Sequence, residues 1–472
     1  MLATPDISPE ELQPEIQAAL RAWRRLDGPT SSLLANLLLV QEKRQLQVDD
    51  SPITLRLAAN QVLLSGLAAL QKQDAEGAQI LRWRFQDNDT LLMVAHKLNA
   101  SYDQAKRLQS KAVHQLTSVI LAQEAAVRQN RRQSQQATLE PPTYDQLYGI
   151  AATQQILTKK LLQPEAPWVI AITGMGGIGK TSLADAIVRT IIEHFYYEQI
   201  IWLHVQADNQ VPTKAILDDL INQLARRLYP QMSATTQPEQ RQVQVRQALK
   251  AMPSLIVIDN LEAEAETAYL LAHLRDLAEP SKFLLTSRTH PPGQAGTFHF
   301  PLPELKEADA AQLIRYHAQS IGVNDLAQAT EAEASQIYAA VGGNPLALKL
   351  VVGLSAALPL PHVLADLVQA QVRQIEGMYR HIYWQAWHTL QPDSQALLQA
   401  MPLADGRIGI TPEQMQTISD LDDRQLWPAI NELVHRSLLE VRGTTWQRRY
   451  SIHQLTDTFL RTEIVHWPQE TG

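Results

Sequence analysis

The chain has 472 residues, 45% of them hydrophobic and 19% charged, which is enough for about three or four domains with buried cores. Its 41 basic and 49 acidic residues give a formal charge of −8, which excludes a generally basic surface for nucleic acid but allows a local basic patch. Cysteine is absent, which excludes disulfides, thiolate metal sites and a thiol nucleophile. With no signal-peptide pattern and no run of about 18 apolar residues, we expect a cytoplasmic protein without a membrane partner.

Residues 1–126 carry the pattern of an all-α domain. From Ile53 to about Gln123, apolar residues recur at three- and four-residue spacing, the period of a helix with one buried face. A polar, glutamine-rich segment follows and closes on Pro141 and Pro142. This composition indicates a helix end that runs into a linker, which we place at 127–147.

Residues 75–121 predict a helix-turn-helix within this domain. Thr90 can cap a short helix, and Ser101 can cap a longer one after a turn at Asn99 and Ala100. Residues 75–132 hold nine Lys or Arg and five Asp or Glu, so this segment carries +4 and the rest of the chain −12. Basic charge concentrated in this way is what phosphate binding needs. The candidate DNA contacts are Tyr102, Gln104, Lys106, Arg107, Gln109 and Lys111. The alternative is a module with an ordinary solvated face that recruits a protein.

Residues 148–300 change to short apolar runs separated by helical segments. The runs lack polar alternation, which predicts parallel strands buried on both faces of a sheet. They lie at 168–173, 200–205, 255–258 and 283–286. Beyond residue 301 the pattern is helical again, with two short strands framing Gly443 near the end. We therefore predict a multidomain α/β plus α protein, in which a parallel sheet carries helices on both faces.

A glycine-rich motif over 174–181, GMGGIGKT, is the sharpest signal in the chain. It matches G-x-x-x-x-G-K-[ST] between a predicted strand and a predicted helix, the context that a P-loop requires. Glycines let successive N–H groups turn toward an anion, and the helix N-terminus adds its positive dipole end. A chance match of this motif occurs on the order of once in a hundred chains of this length. The predicted nucleotide-binding residues here are Gly174, Met175, Gly176, Gly177, Ile178, Gly179, Lys180, Thr181 and Ser182.

A magnesium ion and a site for nucleotide hydrolysis are the next expectation. Lys180 is predicted to reach the β- and γ-phosphates, and Thr181 to ligate Mg²⁺. Asp259 follows four apolar residues and suits the acid that holds Mg²⁺, although an acid can also end a buried strand for structural reasons. Asn260 stands where many hydrolytic P-loop proteins have a second acid, and Glu262 can substitute for it. We therefore expect any hydrolysis to be slow.

Together these motifs resemble the NB-ARC branch of the STAND ATPases, the switch module of plant resistance proteins and apoptotic scaffolds. The resemblance covers residues 148–467 and implies a P-loop domain (148–300), a helical domain (301–378) and a winged-helix domain (379–472). It also implies that ATP or ADP is the cofactor. The N-terminal helix-turn-helix resembles region four of sigma factors.

The resemblance assigns further residues to the nucleotide. Arg288 in SKFLLTSRT would read the γ-phosphate, Pro345 in GGNPLAL would pack on the adenine, and His453 in YSIHQL would touch the β-phosphate of ADP. Each of these residues also has a purely structural interpretation. Arg288 fits an exposed cation at a strand end, the segment around Pro345 fits a corner between two helices, and His453 fits a buried core histidine. Gly149 and Ile150 would lie beside the adenine, with Ile150 in place of the family's Arg. Gln454 likewise replaces the family's Asp after the histidine, which weakens the expected latch.

The function implied is a nucleotide-dependent switch. ADP would hold the domains together, and ATP would open them for self-association and for action through the N-terminal helices, on DNA in the leading hypothesis. In the alternative, a defence-type scaffold uses those helices to recruit a protein effector. Because the family places a repeat sensor after the winged helix, we also expect either a separate sensor protein or a longer chain.

Overall fold

The structure is a computed structural model that falls into two compact units. The N-terminal unit consists of Met1–Thr138 with Ile191–Tyr196, and the C-terminal unit of Leu139–Thr190 with Tyr197–Gly472. The residues that the structure describes are 7–25, 30–45, 51–205, 213–229, 231, 237–261, 264–288, 296–369, 375–404, 409–444 and 446–465.

The described residues of the N-terminal unit form helices and their connections, as the apolar spacing predicts. Its core lies between the long helix α4 and helices α1, α5 and α7, where Ile16, Val62, Leu63, Leu116 and Ile120 are at most 1% exposed. A π-helical turn at Arg82–Gln86 follows α5. The helices are α1 (Pro9–Arg21), α2 (Ser32–Ala35), α3 (Leu38–Gln45), α4 (Pro52–Gln73), α5 (Ala75–Leu81), α6 (Leu91–Lys97) and α7 (Tyr102–Gln136).

The predicted caps and turn between α6 and α7 are confirmed. Thr90 Oγ1 accepts the Met93 N–H at 3.3 Å, and Ser101 Oγ accepts the Gln104 N–H at 3.2 Å. Asn99 has φ +50°, a left-handed conformation that asparagine tolerates better than most residues and that ends α6. The chain therefore forms helix, turn and helix here, while the likeness to a sigma-factor domain stays a prediction.

Helix α7 continues to Gln136, so the first part of the segment predicted as a linker at 127–147 is helical. The polar residues of this stretch are not simply solvated. Glu124 is buried and accepts the N–H groups of Leu38 and Leu39 at the start of α3, both at 3.0 Å. Arg128 then donates to Glu124 at 2.8 Å. Buried polar contacts of this kind keep the helix packed beyond the point where its apolar spacing ends.

The C-terminal unit contains a five-stranded parallel sheet in the order β2-β3-β4-β1-β5. Every residue of β1 and β4 is buried, so both faces of the sheet are covered. The strands are β1 (Val169–Thr173), β2 (Gln199–His204), β3 (Ser254–Leu261), β4 (Lys282–Ser287) and β5 (Thr297–Pro301). The helices of this part are α8 (Ala151–Leu162), α9 (Lys180–Ile192), α10 (Thr213–Leu228), α11 (Pro238–Ala251) and α12 (Glu264–Leu277). The predicted fold class is confirmed.

The remaining elements share one continuous hydrophobic core. Helices α20 and α21 are followed by a hairpin whose two strands pair antiparallel, the order of elements that the predicted winged-helix domain requires. The elements are α13 (Glu307–Ser320), α14 (Asn324–Ala327), α15 (Glu331–Val341), α16 (Pro345–Ser355), α17 (Leu360–Gln369), α18 (Ile375–Thr389), α19 (Pro392–Ala400), α20 (Pro412–Ser419), α21 (Asp423–His435), β6 (Glu440–Thr444), β7 (Gln447–Ser451) and α22 (Gln454–Phe459). Because the core is continuous, the boundary between the predicted helical and winged-helix domains stays a prediction.

Among the described residues, α4 is long and apolar enough to cross a membrane, and the bent pair α15 and α16 meets the same test when taken together. Half of the apolar window of α4 is buried inside the N-terminal unit. Since core helices of this length and composition pass the test as well, it does not by itself indicate a membrane span. The expected absence of a membrane partner stays a prediction.

Candidate nucleotide-binding site

The glycine loop joins β1 to α9, as the motif predicts. Its backbone turns through positive φ at Gly174, Gly177 and Gly179, with values of +153°, +73° and +97°. At Gly177 a side chain is excluded twice over. A Cβ atom there would lie 2.7 Å from Leu346 Cβ and from Tyr379 Oη, and L-residues rarely adopt this φ. The loop therefore requires glycine both for its conformation and for what packs on it.

Lys180 places its ammonium group on the loop itself. Its Nζ donates to the carbonyl oxygens of Gly174 at 2.8 Å and Met175 at 2.9 Å. Ile178 is buried beneath the loop. The ammonium group and the first turn of α9, which includes Ser182, thus converge on one surface, the arrangement that holds phosphate groups.

Asp259, near the end of β3, joins Thr181 as predicted. The carboxylate is 4% exposed, and its Oδ1 accepts hydrogen bonds from Thr181 Oγ1 at 2.9 Å and Thr286 Oγ1 at 2.5 Å. No cluster of three or more His, Asp or Glu residues that could hold a metal occurs in the described part of the chain. A hydroxyl and one carboxylate suit Mg²⁺, which takes few protein oxygens and completes its shell with phosphates and water.

Asn260 interrupts the regular strand just after Asp259. Its φ is +73°, and its N–H donates to Thr286 Oγ1 at 2.9 Å while the pairing of β3 with β4 shifts register. An amide side chain cannot accept a proton as a general base. Glu262, the predicted substitute, lies outside the described residues.

Three helices from beyond the sheet contact the glycine loop. From α16 and the residue before it, Asn344 Nδ2 donates to the Gly176 carbonyl at 3.0 Å and the Leu346 N–H to the Gly177 carbonyl at 3.3 Å. From α18, the Tyr379 hydroxyl donates to the Gly176 carbonyl at 3.4 Å. From α22, a leucine side chain packs against Gly176. Residues distant in the sequence thus close around the phosphate-binding segment.

Tyr379 is a contact that the sequence did not predict. Burial raises the pKa of its hydroxyl, and that oxygen also accepts the N–H of Ala347 in α16. The hydroxyl therefore links α18, α16 and the loop. No local signal marks Tyr379, whereas Asn344 stands next to the predicted Pro345 and caps the same helix.

His453 is influenced electrostatically by Arg288 and Lys180, while the nucleotide contacts that the resemblance implies for it stay predictions. Burial lowers the pKa of His453; Glu440 opposes this, and the charges of Arg288, Lys180 and Lys349 reinforce it. His453 Nδ1 also accepts the Leu455 N–H at 3.1 Å and so caps α22. The charges of Arg288 and Lys180 therefore act on His453, which is favoured in its neutral form.

The three residues assigned to the adenine lie where two helices begin: Gly149 and Ile150 before α8, and Pro345 in α16. Gly149 has φ +67°, and a Cβ there would lie 2.9 Å from Asp309 Oδ2 on α13. Ile150 directly precedes α8, and Pro345 opens α16. Their adenine contacts, which only the resemblance implies, stay predictions.

The candidate DNA contacts lie in the N-terminal unit. All are exposed except Gln109, whose amide oxygen is buried and finds no hydrogen-bond partner in the described chain. Some other cations of this segment are paired with acids, for example Lys97 with Asp89 at 2.6 Å. Lys106, Arg107 and Lys111 are three exposed cations on one helix.

Comparison with known proteins supports the nucleotide site. Residues 151–297 match the NB-ARC domain. An uncharacterised WD repeat-containing protein of a Nostoc species is 25% identical over 71% of this chain and 28% of its own length. The regulatory protein AfsR of Streptomyces griseus is 26% identical over 62% of this chain and 30% of its own. A putative disease resistance protein of Arabidopsis thaliana is 22% identical over 57% and 19%.

The chain thus spans less than a third of the length of each of these three relatives. A solved structure, the STAND protein with a tetratricopeptide repeat sensor from Pyrococcus horikoshii, is 19% identical with a TM-score of 0.46, over 68% of this chain and 43% of that one. The matched segment contains the glycine loop, Asp259 and Arg288. Residues 151–297 therefore form an NB-ARC domain, a P-loop module that binds ATP or ADP.

Proposed function

We propose that the protein is a STAND-type nucleotide-dependent switch. ADP holds the helical and winged-helix regions closed on the glycine loop, and ATP with Mg²⁺ opens them and permits self-association. Asn260 occupies the position of the second acid, and its amide cannot act as a general base. Hydrolysis is therefore slow, well below the ~10 s⁻¹ typical of enzymes. Glu262 remains the candidate that orients the attacking water.

One observation carries this proposal: Asn344, Leu346 and Tyr379 contact the carbonyl groups of Gly176 and Gly177. Any change in the loop on phosphate binding must alter these contacts, because backbone carbonyls cannot move independently of the N–H groups beside them. A ligand shifts such an equilibrium only by binding one arrangement more tightly than the other. Two nucleotides that differ by one phosphate at this loop meet that condition.

We propose DNA as the target of the N-terminal unit. Lys106, Arg107 and Lys111 are exposed on α7, and no carboxylate among the described residues pairs with them. A single unit with three available cations binds DNA weakly. Assembly of several units raises the effective concentration and hence the affinity.

A protein target is the second candidate, and one observation favours it. Leu92 and Met93 on α6 and Tyr102 at the start of α7 are 56%, 50% and 52% exposed. Exposed apolar and aromatic side chains grouped near one turn are typical of protein-binding surfaces. Salt dependence separates the two candidates, because only phosphate binding releases condensed counterions.

The molecular mass in solution tests the switch. Purified protein loaded with ADP is expected to be monomeric by light scattering, and protein exchanged into a non-hydrolysable ATP analogue with Mg²⁺ is expected to form a larger species. Lys180→Ala provides the control, since it should bind both nucleotides much more weakly and should not respond at concentrations that saturate the wild-type protein. An identical mass in both nucleotides would count against the switch.

A further inference from the structure

Glu140 contacts three separate parts of the C-terminal unit. Its backbone carbonyl accepts a hydrogen bond from Arg189 Nη2 at 2.7 Å, and Arg189 lies on α9, directly after the glycine loop. Its carboxylate Oε2 accepts from Arg442 Nη1 at 2.6 Å, and Arg442 lies on β6 of the winged-helix hairpin. The other carboxylate oxygen, Oε1, is 3.8 Å from His204 Nε2. A residue in the segment predicted as a linker is thus fixed in place.

His204 lies between Glu140 and the predicted magnesium ligand. It ends β2 and pairs in register with Asp259 on β3. Its Nδ1 is 3.8 Å from Asp259 Oδ2, as its Nε2 is from Glu140 Oε1. Oδ1 of Asp259 is already engaged by Thr181 and Thr286, so His204 faces the other oxygen.

Arg442 is itself fixed to the hairpin. Its Nε donates to Ser451 Oγ on β7 at 3.1 Å, and its Nη2 lies 3.7 Å from Glu440 Oε2. The Arg442 side chain is 17% exposed and that of Glu140 is 34% exposed. The Arg442 guanidinium therefore moves with the hairpin. Because both side chains are partly buried, the Arg442–Glu140 ion pair forms only while the hairpin is docked.

We propose that Arg442, Glu140 and His204 form a relay that couples the winged-helix hairpin to Asp259, which we call the hairpin relay. With the hairpin docked, Arg442 engages Glu140, and His204 stays between the two carboxylates, 3.8 Å from Glu140 and 3.8 Å from Asp259. When the hairpin departs, Glu140 loses Arg442 and draws His204 toward itself. Asp259 Oδ2 is then released for Mg²⁺. Glu140 and His204 act here as positioning residues.

The hairpin relay rests on the proposed switch and adds a route by which domain opening alters Mg²⁺ binding. In the hairpin relay, departure of the hairpin makes Asp259 available to Mg²⁺. This agrees with the proposed switch, in which the open form holds ATP with Mg²⁺. The coupling is reciprocal, so Mg²⁺ binding at Asp259 favours departure of the hairpin to the same degree.

The test measures nucleotide affinity with and without Mg²⁺, using a fluorescent ATP analogue in Mg²⁺ or in EDTA. In Arg442→Gln, the factor by which Mg²⁺ strengthens nucleotide binding should rise about threefold. A partly exposed ion pair contributes up to about a fivefold effect on such an equilibrium. In a His204→Ala or Glu140→Gln background, Arg442→Gln should produce no further change. The matched control is Arg315→Gln, which removes an Arg315–Glu331 pair of 2.7 Å in the helical region and should leave the Mg²⁺ effect unchanged.

Two results would overturn the hairpin relay. One is an unchanged Mg²⁺ effect in Arg442→Gln together with faster ADP release. That result would mean that the ion pair holds the hairpin closed without acting on Mg²⁺ binding. The other is an equal increase in the His204→Ala background, which excludes the histidine. Failure of the switch is distinguishable, because there the mass of wild-type protein stays the same in ADP and ATP while the Mg²⁺ effect still responds to Arg442→Gln.

Discussion

The two units differ in how far apart along the chain their functional residues lie. In the C-terminal unit, Gly176 receives hydrogen bonds from Asn344 and Tyr379, which are 168 and 203 residues away. In the N-terminal unit, the candidate contacts Lys106, Arg107 and Lys111 lie within two turns of one helix. Long-range contacts identify a ligand because they build a site with a defined shape, whereas a row of exposed cations is compatible with several partners.

Removing the Lys180 ammonium should have the largest effect. Lys180→Ala is expected to weaken ATP and ADP binding about 100-fold, since a charged hydrogen bond to phosphate contributes up to about 3 kcal/mol. Isothermal titration calorimetry measures the loss. Lys159→Ala, an exposed lysine on α8, is the matched control and should bind normally. If the Lys180 variant binds nucleotide as tightly as the wild-type protein, the glycine loop is not the nucleotide-binding site.

Acid should destabilise the C-terminal unit through His317. Burial, together with the charge of Lys349, lowers the pKa of His317 to about 3, and its Nε2 lies 2.6 Å from Ser437 Oγ. The unfolded chain, with a pKa near 6.5, therefore takes up the proton first, and stability falls as the pH drops from about 6.5 toward 3. Between pH 7 and pH 5 we expect a loss of about 2 kcal/mol in the apparent free energy of unfolding.

Urea denaturation at the two pH values measures that loss. His317→Gln should flatten the dependence, because glutamine does not titrate. If the variant keeps the full pH dependence, another group is responsible.

Loss of the buried carboxylate charge should affect Mg²⁺ more than nucleotide. Asp259→Asn keeps the shape of the side chain at the end of β3 and removes the charge that Mg²⁺ requires. We expect the affinity gained on adding Mg²⁺ to fall about tenfold, a difference of about 1.4 kcal/mol, while affinity in EDTA changes little. Equal losses in both conditions would indicate a structural role for Asp259.

The N-terminal unit should show the salt dependence of phosphate binding. Changing Lys106 and Arg107 together to Ala should lower the slope of log affinity against log salt by about 2 for duplex DNA, and the affinity about tenfold. Nucleotide binding should be unaffected. The assay uses the ATP-assembled form, and absence of salt-sensitive DNA binding in that form would favour the protein-recruiting alternative.

Tyr379→Phe should have the smallest effect. The ring and its packing remain, and only the hydroxyl that reaches Gly176 and Ala347 is lost. We expect ADP release to be about fivefold faster, since one neutral hydrogen bond contributes about 1 kcal/mol. Stopped-flow displacement of a fluorescent ADP measures the rate, and an unchanged rate would show that this contact does not hold the closed form.

The sequence predicts what depends on neighbouring residues. Strands β1 to β4 are runs of buried apolar residues, and the caps at Thr90 and Ser101 bond to N–H groups three residues ahead. The missed strand β5 lies at the sheet edge, where its residues are only partly buried and carry no apolar run. Its pairing with β1 comes from the fold, which no local pattern reports.

The parts of the site that were missed depend on distant partners. Lys180, Thr181 and Asp259 follow from motif and strand order, and the structure brings them together. Tyr379, His204 and Glu140 carry no motif, and their roles come from contacts with residues far along the chain. The segment containing Glu140 looked like a linker because its composition is polar, and composition does not show which polar groups find partners.

Hydrogen–deuterium exchange in the two nucleotides tests the central claim most directly. In the proposed switch, α18 and the segment around His453 close on the glycine loop with ADP and leave it with ATP. Backbone amides of 375–389 and 450–460 should therefore exchange slowly in ADP and faster in a non-hydrolysable ATP analogue with Mg²⁺. Amides of α4 in the N-terminal unit serve as the internal reference. Equal exchange of these C-terminal segments in both nucleotides would contradict the account.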